Sequence, residues 1–113
     1  MIHIEFSRES VCMGDDYYAG TYNMEFTEDA TIKDLVTVIL NGGHGNTWPV
    51  ARVASWREDW VIKTNVGILA DIHAKFGGKW KVNYQDFVEN RLLKDSGIVR
   101  TYAESTRPTP LRA

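Results

Sequence analysis

Apolar and polar positions alternate from the start of this chain. Ile2, Ile4 and Phe6 alternate with His3, Glu5 and Ser7, and Tyr22, Met24 and Phe26 alternate with Thr21, Asn23 and Glu25. A period of two is the signature of a half-buried strand, so both stretches are predicted strands. The period then changes. Ile32, Leu35, Val36 and Ile39 fall at i, i+3, i+4 and i+7, and Leu40 widens the stripe. That spacing predicts a helix over Thr31–Leu40, with Lys33, Asp34 and Thr37 turned away from the apolar face. Thr31 is a suitable N-cap, and Asp34, three residues on, makes a shortened capping box. Glu28 and Asp29 place negative charge ahead of the positive helix end. Asn41, Gly42 and Gly43 supply the stop.

The polar run from Ser7 to Gly20 is too long for a tight turn and reads as a structured surface loop. Beyond the helix, the glycine-rich connection Asn41–Pro49 leads into a predicted central strand over Val50–Trp56, apolar on both faces. A turn at Arg57-Glu58-Asp59 follows. Trp60, Ile62 and Thr64 alternate with Asp59, Val61 and Lys63 and predict another strand. Asn65-Val66-Gly67 then turns the chain into a strand over Ile68–Ile72. Leu69, Ile72, His73 and Phe76 also satisfy helical spacing, so the helix stays open as an alternative. The tight connection off a strong strand favours the hairpin. Gly77-Gly78-Lys79 would then be a bulged turn, with Phe76 opposite Trp80 and Ala74 opposite Val82. Trp80 and Val82 make a short strand. Phe87, Val88, Arg91 and Leu92 share one helical face and predict a second helix over Tyr84–Lys94, with Gly97 just past its end. A last strand is expected over Ile98–Ala103.

These elements predict an α+β domain: a mixed or antiparallel sheet of about five to six strands packed by two helices. The opening strand, loop, strand, helix is β-grasp-like. Residues 1–103 form the single domain and 104–113, with two prolines, a loose tail. At 113 residues the chain can bury roughly two-thirds of its unfolded surface, so folding needs no disulfide or metal. A single cysteine, Cys12, excludes an internal disulfide. It fits a reducing compartment, and a cytoplasmic location is expected. No apolar run approaches the ~20 residues of a membrane span, and the N-terminus lacks a signal-peptide pattern.

Charge changes the picture more than composition does. The net charge is −2. Residues 1–47 hold eight acidic against two basic residues, a balance of −6, and residues 48–113 hold seven acidic against eleven basic, a balance of +4. Either the two halves interleave and their charges mingle, or the chain carries an acidic face suited to a basic partner.

Candidate chemistry is sparse. His3, His44 and His73 show no ligand spacing, and no metal or other cofactor is expected. Two aspartates close to Cys12 would raise its thiol pKa and so oppose a reactive thiolate. Gly42–Asn46 has the glycines of a phosphate cradle, yet it follows a helix and no Lys-Ser or Lys-Thr comes after it. Lys75, Lys79 and Lys81 interleave with Phe76 and Trp80, as on a stacking platform. The pI of about 5.9 argues against nucleic acid, because phosphates demand a net basic face. The four tryptophans are expected in the core, with Trp48 or Trp56 partly exposed.

The stretch S-R-E-S-V-C-M-G-D-D after a short strand, the T-x-K-D-L helix start, and the W-V-I-K-T-N-V-G-I-L-A-D-I hairpin resemble small single-domain proteins of bacterial toxin–immunity systems. The resemblance spans about residues 1–72. It implies a compact cytoplasmic inhibitor that binds a cognate toxin and performs no catalysis. An acidic patch would suit a basic toxin domain. The acidic candidates for contact are Asp15, Asp16, Glu28, Asp29, Glu58 and Asp59, with the start of the helix the first place to look. The alternative is a small enzyme or metal-dependent module using Cys12, Asp15, Asp16 and His44.

Overall fold

A computed structural model describes residues 1–8, 21–41, 59–75 and 79–106. The fold is α+β. Six strands form one mixed sheet: β1 (Ile2–Arg8), β2 (Tyr22–Phe26), β3 (Trp60–Thr64), β4 (Gly67–Lys75), β5 (Lys79–Tyr84) and β6 (Arg100–Ser105). Their order across the sheet is β2-β1-β6-β3-β4-β5. Four of the five pairings are antiparallel, and β1 and β6 run parallel. One α-helix, α1 (Ile32–Asn41), is present among the described residues.

The helix forms as its spacing predicts. The backbone N–H of Thr31 donates to Asp34 Oδ2 at 2.9 Å, and the N–H of Asp34 donates to Thr31 Oγ1 at 3.3 Å. Asp therefore closes the capping box despite its short side chain. Ile32, Leu35 and Ile39 are fully buried, with Val36 and Leu40 nearly so. Val38, off the predicted stripe, is buried too. This face lies over the inward row of the sheet, where Ile4, Phe6, Met24, Trp60, Ile62 and Ile72 join it in one core. Each such side chain contributes roughly 1.5–3 kcal/mol on leaving water.

Strand register follows the alternation. Ile4 and Phe6 face inward with Met24 and Phe26, while Glu5 and Asn23 lie outward. The β3–β4 pairing resolves the strand-or-helix alternative in favour of the strand, with Trp60 opposite Ile72 and Thr64 opposite Gly67. A register shift between Ile62 and Lys63 inserts Leu69 as an extra residue, which is how Leu69 and Ala70 are both buried in succession.

Several expectations are corrected. Residues 84–94 form no α-helix: Tyr84 ends β5, and one 3-10 turn covers Leu93–Asp95. The reason is where the backbone groups go. The N–H groups of Gln85 and Asp86 donate to Leu69 O and Ile68 O, carrying the chain further along β4. The carbonyls of Glu89 and Arg91 accept the N–H groups of Lys33 and Ile32, and Leu93 N–H donates to Ala30 O. Backbone groups committed to a neighbour cannot also close helical rings. Phe87 is buried, but Val88 and Arg91, placed on the same apolar face by spacing, are exposed. The β4–β5 register sets Ala74 opposite Trp80 and Ile72 opposite Val82, so the connection is residues 76–78, one position earlier than expected. β6 starts at Arg100 and continues through Glu104 and Ser105, which pair with Val61 and Trp60. The last strand thus extends past Ala103. The strand expected over Val50–Trp56, Trp48 and Trp56 themselves, and residues 107–113 lie outside the described residues.

Candidate functional site

The acidic residues ahead of α1 sit where the sequence suggested, in an environment set by their neighbours. Glu28 is exposed, with its carboxylate 3.1 Å from the Met1 amine. Asp29 accepts a hydrogen bond from the Thr27 hydroxyl. That bond, followed by one from its own backbone N–H, holds its carboxyl below the usual range. The N–H groups at the helix start are occupied: those of Ile32 and Lys33 by main-chain carbonyls, that of Asp34 by Thr31 Oγ1, and that of Leu35 by Thr31 O. This end consequently presents carboxylates without open amide donors.

Asp59 lies elsewhere. It sits across from His73 at the start of β3, with Oδ2 3.3 Å from His73 Nδ1, and its carbonyl accepts Thr106 N–H at 2.8 Å. Phe26 pairs with Ile2 at one end of the sheet. Arg8 pairs with Ala103, and Ser105, two residues on, pairs with Trp60 at the other. Eight strand steps separate these ends, about 26 Å at the usual rise. Glu28 and Asp29 therefore cannot share one contact patch with Asp59. Asp15, Asp16 and Glu58 lie outside the described residues. The ends of the connection carrying Asp15 and Asp16, Arg8 and Tyr22, are paired at the opposite end of β1 from Glu28. Cys12 and His44 are likewise outside the described residues. Among the described residues no group of three His, Cys, Asp or Glu is placed to hold a metal ion, and no helix is long and apolar enough to cross a membrane.

The sheet order decides how the charge asymmetry is arranged in space. β1 and β2, from the acidic half, form one side of the sheet, and β4 and β5 form the other, with β6 and β3 between. Glu28, Asp29 and Asp34 stand around the helix start, while Glu5 and Glu25 lie on the outward face of β1 and β2, the face turned from the helix. On the β4–β5 side stand Lys81 and the carboxylates of Asp71 and Asp86. Five strand spacings, about 24 Å, separate the edges. The two halves meet in space: the main chain of Glu89, Arg91 and Leu93 bonds that of Lys33, Ile32 and Ala30, and β6 pairs with β1.

Sequence reading missed a groove on the outward face, between β1, β6 and β3. Its volume is about 220 Å³, and Glu5, Ser7, Lys63, Arg100 and Tyr102 are among its lining residues. Lys63 Nζ lies 2.6 Å from Glu104 Oε1. The hydrogen bond to Glu104 and its charge raise the Lys63 pKa. Of the charged lining, Glu5 stands with Lys63 and Arg100, and Lys63 is already paired with Glu104. The alternation of polar residues identified this face as outward, but the groove depends on the β1–β6 pairing, which spans most of the chain.

Comparison with protein-family models, curated proteins and solved structures finds no match to this chain.

Proposed function

We propose that this chain is a non-enzymatic protein-binding module, an immunity protein that binds and neutralises a cognate bacterial toxin in the cytoplasm. The observation that carries the reading is the group of exposed carboxylates at the start of α1. These carboxylates stand where the helix amides are already satisfied. Glu28, Asp29 and Asp34 form the contact set. A toxin domain with a basic surface complements them, and such complementarity governs association rate and specificity more than raw affinity. The resemblance of the helix start and of the β3–β4 hairpin to immunity proteins supports the toxin as the partner. Two antiparallel strands leading into a helix, with β1 beside and parallel to the last strand, support reading the opening as β-grasp-like.

The test is affinity purification from native lysate with mass spectrometry, paired with co-expression against the toxin encoded beside the gene. One stable partner is expected, together with protection of the cells. A Glu28→Lys, Asp29→Lys double variant should lose both while melting like the parent. Absence of any partner together with absence of protection would sink the proposal.

A further inference from the structure

We draw no further inference here: the strongest candidate, the groove between β1, β6 and β3 on the outward face of the sheet, carries nothing, because the side chains of Thr64, Asn65 and Thr101 in its lining are bonded to main-chain groups of the fold, Lys63 is paired with Glu104, and nothing in the structure shows what covers it.

Discussion

Replacing Asn65 with alanine should destabilise the fold far more than its exposed position suggests. Its side chain lies in the β3–β4 turn and bridges to the start of β6. Oδ1 accepts the N–H groups of Val99 at 2.8 Å and Arg100 at 3.1 Å, and Nδ2 donates to Gly97 O at 3.0 Å. The Asn65 backbone N–H adds a bond to Arg100 O at 3.3 Å. An ordinary surface substitution changes stability by less than ~0.5 kcal/mol. Three hydrogen bonds at about 0.5–1 kcal/mol each, the lower range because the site is exposed, give a loss of about 1.5–3 kcal/mol. For a chain of this length that is roughly 6–12 °C in Tm. Urea unfolding supplies the free energy, and hydrogen exchange at the amides of Val99 and Arg100 supplies the local readout. Asn65→Asp keeps both acceptor bonds and loses the donor, so its loss should be smaller, about 0.5–1 kcal/mol. A loss below about 0.5 kcal/mol for Asn65→Ala, with exchange at Val99 and Arg100 unchanged, would refute the reasoning.

Gly67 has φ +154°, and a Cβ there would stand 2.8 Å from Asp86 Oδ2, the atom that accepts the Ile68 N–H at 2.7 Å. Gly67→Ala should cost about 1–3 kcal/mol in urea unfolding, and less than additively when combined with Asp86→Ala. Ile39→Ala, at a fully buried position under the sheet, should cost about 2–5 kcal/mol by the same measurement. Stability should fall in strong alkali. The pKa of Lys63 is raised by Glu104, and that of Tyr84 by burial and then by Glu89. Both contributions are complete below the unfolded values and vanish as pH climbs through the folded ones, above about pH 10. Melting against pH should show a weaker alkaline decline in Lys63→Ala. Asp29 has the opposite sign. Its lowered pKa gives a contribution that is lost as pH falls below the ordinary aspartate range, and Thr27→Val should reduce that acid dependence.

The strands and helix of the first half were legible because each follows one period without competition. Ile4, Phe6, Met24 and Phe26 alternate, Ile32 to Ile39 repeat at helical spacing, and Thr31 with Asp34 closes the cap. Residues 84–94 misled for a physical reason. Phe87, Arg91 and Leu92 are spaced as on a helix, yet the carbonyls of Glu89 and Arg91 serve the amides of α1. That is a tertiary demand, invisible to periodicity. The limit of the last strand was placed too early at 103 because Glu104 and Ser105 look like tail, although Glu104 stands opposite Val61 and bonds Lys63. At the candidate site the acidic residues were readable and their separation was not. Only the strand order reveals that Glu28 and Asp59 occupy opposite ends.

The parallel pairing of β1 with β6 also sets the order in which this protein can assemble. β6 lies between β1 and β3, so it joins β2-β1 to β3-β4-β5. Thr101 Oγ1 donates to Glu5 O at 2.9 Å across 96 positions of chain, and Thr101 is itself buried. During synthesis the two hairpin units exist before the strand that unites them. The full sheet therefore waits on a long-range closure, and such closure slows folding. Until then the edges of β1 and β3 stand open side by side. That interval, more than any weakness in the finished core, is when the protein is most exposed to mispairing.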